Sequence, residues 1–485
     1  MNVPQILALV VLAALIGIAL RGRVRNLALV GFSALALYWL SPPDLLFPSL
    51  PFWLPTFTLF ITILIWGFVT PIEARRLRAN WSALAVLAGA ILLAVAGKVL
   101  PISWMVDISI PNIVIIAGAL VIFGVVIAGV ISSKRSEKMW LALSVVGLLA
   151  IFIVLKSPWL TRQFFALSAS LRGQPFDVDP TKPLSIAWLG YSYVAFRLLH
   201  TIRDRQNGIL PAVGLDEFIS YVIFFPSITA GPIDRLERFV QDLRTPQPLT
   251  NEDWLYAGQR LAVGLFKKFV LADGLAWLSI TDALVGQTRS GGWLWLFLYA
   301  YTLRIYFDFS GYTDIAIGTA RLMGIRLPEN FAAPFLKSNL TQFWNSWHMT
   351  LTQWFRSYFF NPFTRFLRTP RIGSGHASKL SLPTWSMILL TQIATMGLIG
   401  LWHGITFNFL LWGLWHGVGL FVQNRWSEFV QTRFPNLGAT NLFRNLFTGL
   451  GVFLTFNYFA FGLVFFALST PQLSIAAFLK LLGMS

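Results

Sequence analysis

The chain has no cysteine and few charges. Without cysteine there are no disulfides, no thiol nucleophile and no thiolate metal ligand, so any chemistry falls to histidine, carboxylates, hydroxyls and amides. Charged residues make up 12% of the 485 positions while 56% are hydrophobic, with 20 Trp and 43 Phe, far more apolar surface than a water-soluble domain needs. Acidic residues are the scarcer sign: 20 Asp and Glu against 37 Lys and Arg leave a formal charge of +17. The basic residues stand at the ends of apolar runs, where cytoplasmic loops of membrane proteins collect them, which argues against a nucleic-acid partner and for a lipid bilayer. No internal repeat is visible, which weakens a reading as a transporter built from repeated halves.

What is present is a succession of apolar runs near or above the ~18 residues needed to span a bilayer. They predict an all-α, multi-pass transmembrane bundle of roughly 11 to 13 spans or half-spans with broken or re-entrant helices around a central tunnel, because a helix satisfies its own backbone in lipid. The first run, "VPQILALVVLAALIGIAL", has no basic segment before it and no small-residue cleavage site after it, so it reads as a retained span. Arg21, Arg23 and Arg25, then Arg75, Arg76 and Arg78, then Lys134, Arg135 and Lys138 predict cytoplasmic turns. The loops 41 to 54 and around Asp107 read as outside, as does 157 to 183 despite its Arg162, Arg172 and Lys182.

From about residue 184 onward, polar residues, prolines and glycines interrupt the apolar runs. The composition predicts a scaffold of transmembrane helices over 1–183, a working core over 184–470 and a tail over 471–485. Three polar insertions stand out in the core. In "FFPSITAGPIDRLERF" (224 to 239) two prolines break any helix, and the mixed-charge stretch after them suits a membrane interface. "YFDFSGYTDIAIG" (306 to 318) places Asp308 and Asp314 in an apolar run. The third, 328 to 364, carries His348 among Trp344, Trp347 and Trp354.

The longest apolar run, "GLIGLWHGITFNFLLWGLWHGVGLF" (397 to 421), carries two histidines. On one straight helix His403 and His416 would be about 20 Å and about 140° apart, so they would not act together on one substrate. Residues 385 to 421 as one helix would measure ~55 Å against a ~30 Å hydrocarbon core, so a break is forced. Gly404 is the cheapest place for it, leaving His403 at a bend between two short arms beside whatever cavity satisfies the exposed backbone.

"FDFSGYTDIAIG", "GIRLPENFAAPF", "FWNSWHMTLTQWFR" and "GLWHGITFNFLLWGLWHG", in that order and spacing and preceded by "FFPSITAGPIDR", resemble the membrane-bound O-acyltransferases, in particular the bacterial branch that modifies cell-envelope polymers. The likeness covers about 184 to 425. The first motif looks more like the alginate-type O-acetyltransferases, and "FWNSWHMTL" and "LWHGIT" more like the transferases of D-alanine to teichoic acids. The chain departs from the family at Ser346, where arginine is usual, at Ser357, where aspartate usually follows the arginine, and at "VFFAL", where the family ends an aromatic pair with arginine. Each change removes a charge near the expected donor path.

The resemblance implies a membrane-embedded acyltransferase of the bacterial cytoplasmic membrane. The acyl group, acetyl before D-alanyl, would come from a cytoplasmic thioester, acyl-CoA or an acyl-carrier protein. It would leave on a hydroxyl of an extracytoplasmic polysaccharide or on a partner protein that completes the transfer. No bound cofactor and no metal are expected. A neutral imidazole at His403 suits removal of a proton from a hydroxyl attacking a thioester, and the resemblance puts the essential histidine there. It also makes His348 functional. Trp344, Asn345 and Arg356 are expected near the donor, with an interface-anchoring role for Asn345 and Arg356 as the alternative. Asp308 either lines the cavity or pairs with Arg304 one turn earlier. Asn330 is expected to shape a re-entrant segment, His416 to donate to a neighbouring helix carbonyl, and His200 and His376 to be solvated. A transporter or flippase would also explain intramembrane Asp and His. A His348–His403–His416 metal site is disfavoured because no pair has i, i+4 spacing.

Overall fold

The computed structural model describes all residues except 44–46, 98–109, 133–136, 172, 174–183, 369–382, 436–439 and 485. Asp107, Lys134, Arg135, Arg172, Lys182 and His376 therefore lie outside the described residues. The described chain is helical, with a single isolated bridge, Phe331 to Trp347, and no strand.

Six described helices are long and apolar enough to cross a membrane: Leu50–Val69, Arg78–Ala96, Ile113–Ser132, Lys138–Lys156, Thr384–His403 and Asn441–Ala467, with Val3–Ala19 shorter. The protein is an all-α, multi-pass membrane protein. Other helices in the expected 11 to 13 are short or carry charge. Gly291–Arg321 contains Arg304, Asp308, Asp314 and Arg321, and Tyr191–Gln206 contains Arg197, Arg203, Asp204 and Arg205. By contacts the chain separates into two compact units, Met1–Val263 with Tyr312–Pro328, and Gly264–Gly311 with Glu329–Ser485. The boundaries at 183 and 470 rest on composition, a different criterion.

In the first unit several polar side chains of an apolar bundle find partners inside it, the usual solution where no water competes. Tyr38 and Thr56 share a hydrogen bond of 2.9 Å, and Trp66 Nε1 donates to the Val213 carbonyl at 3.1 Å. Arg25, only 2% exposed, donates to the carbonyls of Met323, Asp242 and Leu243. It thereby closes the C-terminal ends of two helices, where unsatisfied carbonyls gather.

The proline-broken motif of this unit is held from within. Arg197, 1% exposed, donates to the carbonyls of Tyr221, Val222 and Ser227 and to Ser227 Oγ. Tyr312 donates to the Pro226 carbonyl at 3.1 Å. The mixed-charge stretch folds into helix Leu236–Arg244, which buries Leu236, Phe239, Val240 and Leu243. His200 corrects the sequence reading. It is 1% exposed, and its Nδ1 lies 3.0 Å from the Tyr221 hydroxyl, which donates to the Asp234 carbonyl at 2.7 Å. Its arginine neighbours suggested a wet edge, but His200 shares the buried face of its helix with Arg197 and Asp204.

In the second unit the run with two histidines is a helical hairpin. Helix Thr384–His403 ends at the histidine, Gly404 is extended, and Thr406 caps the following helix Phe407–Arg433 through its side chain to Phe409 N. The break falls where the sequence placed it. The arms, however, are long helices of 20 and 27 residues that continue on both sides of the quoted run. They are antiparallel: Gly400 abuts Phe409, Gly413 abuts Met396 and Gly417 abuts Ile393. Small residues at these crossings allow backbone-to-backbone packing, the driving contact between helices in lipid.

Candidate active site

His403 is the last residue of its helix, and the bend at Gly404 leaves its ring half-buried. His348 reaches the same place by a different device. It caps helix Met349–Phe355 with φ 43° and ψ 53°, a left-handed conformation uncommon for a residue with a Cβ. Such a conformation costs of order 1–3 kcal/mol and persists only when the surroundings enforce it. Here they do. The Phe331–Trp347 bridge, Ala332 N donating to the Ser346 carbonyl at 3.0 Å and Met349 N donating to the Asn330 carbonyl at 2.9 Å clamp the two segments together.

Both imidazoles line one cavity of about 140 Å³, walled by Trp344, Trp412, Phe466, Ile399 and Leu463, all within the second unit. Phe309 meets the His348 ring edge-on at 4.6 Å, and Phe466 meets the His403 ring at 4.8 Å. Trp412 stands between the two histidines of the hairpin, 5.4 Å from His403 and 4.9 Å from His416, so one aromatic ring touches both. Among the described residues, three buried polar atoms of the lining have no hydrogen-bond partner: His348 Nε2, Trp344 Nε1 and Trp412 Nε1. An unpaired polar atom in an apolar interior costs roughly 1–3 kcal/mol, so several around one cavity need an explanation. No Asp or Glu is among the described lining residues.

A larger cleft of about 330 Å³ lies in the first unit, lined by Arg238, Arg321, Arg326, Asp242 and Asp253 among others. It holds no histidine, and its charges largely offset one another, as Arg238 pairs with Asp234 and Arg321 with Asp253. The smaller cavity holds the two histidines, His348 and His403, that the sequence singled out.

Of the residues singled out from sequence, the structure brings His403, His348 and Trp344 to the cavity and leaves three outside its lining. Asp308 pairs at 2.5 Å with Lys268, not with Arg304, and its side chain is 51% exposed. Asn345 and Arg356 are exposed and bond to one another at 2.5 Å. His416 differs from expectation. It is fully buried, but neither ring nitrogen has a hydrogen-bond partner among the described residues, and no helix carbonyl receives it. Instead it packs on Gly462, where a Cβ would stand 2.8 Å from its Nε2. Trp412, Phe466 and Asn330 were not legible as site residues. Trp412 and Phe466 look like any other aromatic of an apolar helix, while Asn330 bonds His348 across a loop.

The profile of the membrane-bound O-acyltransferase family matches residues 203–465, more than half of the chain, and spans both cavity histidines. The chain belongs to the membrane-bound O-acyltransferase family. Among its relatives, the teichoic acid D-alanyltransferase of Streptococcus thermophilus is 31% identical over 283 residues, 56% of this chain and 66% of that protein. That of Bacillus subtilis is 30% identical over 291 residues, 58% of this chain and 69% of that protein. The probable alginate O-acetylase of Pseudomonas putida is 33% identical over 236 residues, 48% of this chain and 45% of that protein. The match thus spans about two thirds of the D-alanyltransferases and under half of the alginate O-acetylase. The family is the one that the motifs resemble, and both kinds of relative belong to the envelope-modifying side of it.

Proposed function

We propose that this membrane-bound O-acyltransferase moves a small uncharged acyl group, acetyl by preference, from a cytoplasmic thioester to a hydroxyl, with His403 as general base. The observation that carries the reading is the facing of two imidazoles, His403 and His348, into one apolar cavity. The hydroxyl oxygen attacks the thioester carbonyl as His403 takes the hydroxyl proton. The carbon–sulfur bond then breaks, and the proton passes to the leaving thiolate. Trp344 and Trp412 wall the reacting groups. The thioester is a substrate, carried by coenzyme A or an acyl-carrier protein, and no resident cofactor is invoked. The acceptor is an extracytoplasmic polysaccharide or a partner protein that passes the group on, and the enzyme sits in the bacterial cytoplasmic membrane.

The choice of acetyl over D-alanyl rests on charge. A D-alanyl group carries an ammonium, and burying an ammonium without a carboxylate partner is expensive. No acidic side chain is among the described lining residues. The longer alignments to D-alanyltransferases favour the second reading, D-alanyl transfer to teichoic acid.

The test is acyl transfer from radiolabelled acetyl and D-alanyl thioesters by purified protein and its His403→Ala variant. Acetyl transfer lost by about 100-fold or more in the variant is expected for removal of a general base. Equal rates from both proteins would remove His403 from the reaction, and a preference for D-alanyl would replace the donor.

A further inference from the structure

We propose that Asn330 is a positioning residue that holds His348 as its Nδ1–H tautomer, so that Nε2 meets the cavity as a hydrogen-bond acceptor. The proposal rests on the acyl-transfer reading only in supposing that the His348 ring serves the reaction.

Which way the Asn330 amide points is decided by its own neighbours. Its Oδ1 accepts from Thr350 N at 3.2 Å and from Thr350 Oγ1 at 2.7 Å. Exchanging oxygen and nitrogen would set an NH₂ group against the Thr350 backbone N–H, donor against donor. The oxygen is therefore the atom on this side, and His348 Nδ1 stands 3.2 Å from it. An amide oxygen only accepts, so Nδ1 must carry the proton. In a neutral ring Nε2 is then the lone-pair nitrogen.

The arrangement is built, not incidental. Asn330 is 0% exposed, His348 4% and Thr350 5%, so water does not compete for these groups. The Asn330 backbone carbonyl also accepts from Met349 N at 2.9 Å, which ties both its carbonyl groups to the residues flanking or forming the histidine. Phe309 packs edge-on against the imidazole at 4.6 Å and 82°, limiting its rotation. With Nδ1 committed, Nε2 is the ring's other nitrogen, buried and without a partner among the described residues, and the side chain that carries it belongs to the cavity lining.

The tautomer constrains what His348 does. A neutral Nε2 accepts a hydrogen bond from the attacking hydroxyl or from His403 once that ring is protonated. It does not donate to the oxyanion. Asn330 thereby separates two roles that residue identity alone leaves open.

The experiment is two-bond ¹H–¹⁵N correlation of protein labelled at histidine nitrogen and held in detergent micelles near pH 8. Of the five histidines in the chain, His348 is assigned by the signals lost in His348→Gln. Nδ1–H with an unprotonated Nε2 is expected in wild type and in Asn330→Asp, whose carboxylate still accepts. A mixed or Nε2–H pattern is expected in Asn330→Leu. An Nε2–H pattern in wild type, or one unchanged pattern in all three proteins, overturns the proposal. If Asn330→Leu does not fold, Asn330→Ala supplies the same comparison, and an Nε2–H pattern in wild type overturns the proposal without either variant.

Acetyl transfer adds a second readout. Asn330→Leu should lower kcat by about tenfold or more with KM little changed, and Asn330→Asp should recover most of it. The tautomer is read without turnover, so the two ideas fail separately. Wild-type rates in His403→Ala with Nδ1–H at His348 sink the acyl-transfer mechanism alone, and Nε2–H with an inactive His403→Ala sinks the tautomer alone.

Discussion

A Cβ on Gly413 would stand 2.4 Å from the carbonyl oxygen of Met396, so the two arms of the histidine hairpin meet backbone to backbone. His403 and Trp412 sit on opposite arms of this contact, and their rings meet at 5.4 Å. The closeness of the arms therefore sets one edge of the cavity.

The same substitution at two glycines should then have opposite effects. Gly413→Ala forces the arms apart and should destabilise the protein by about 1–3 kcal/mol, as overpacking does. Gly449 lies in helix Asn441–Ala467 with nothing near its missing Cβ. Gly449→Ala should stabilise by up to about 1 kcal/mol through helix propensity. Thermal unfolding in one detergent compares them, and equal shifts would mean that the close approach is unimportant.

Trp412 should act as a limit on acyl size. It is 3% exposed and forms the wall between the two hairpin histidines. Trp412→Ala enlarges the cavity on the side of His403. The preference for acetyl over butyryl thioester should fall by about tenfold or more, the order of discrimination that a methylene or two provides in an apolar pocket. Competition between the two labelled donors measures it, and an unchanged ratio would place the acyl group elsewhere.

Acid should loosen the start of helix Asn251–Leu265 through one carboxylate. The backbone N–H of Thr250 donates to Asp253, its hydroxyl adds a second bond, and Arg321 pairs with it at 2.7 Å. These contacts hold the Asp253 pKa below its ordinary value, the backbone bond most of all. A depressed carboxylate pKa means stability that is fully present above the unfolded value of about 3.9 and is lost as pH falls through the lower folded value. Asp253→Asn should therefore melt below wild type at pH 7, with the gap closing on acidification below about pH 4. A gap that persists at low pH would assign the effect to packing.

Local rules carried the reading of the chain as far as their range. The bend after His403 was legible because a glycine interrupts an apolar run too long for one helix, while the Thr406 cap that follows it came from the structure. The partner of Asp308 was not legible. Spacing offered Arg304 one turn away, and the structure pairs it with Lys268 from another segment. His200 failed in the same way, since its arginine neighbours describe a local charge pattern while its helix turns that face inward.

The sequence by itself determined the lipid setting, the helical class, the family and the bend that exposes His403, because each is written in composition, in run length or in an unbroken motif. Only the tertiary structure decided that His348 joins His403 at one cavity, that Trp412 divides the hairpin histidines, and that Asn330 faces the His348 Nδ1. Those relations join segments distant along the chain, and they depend on side-chain direction and interhelical distance, which no periodicity encodes.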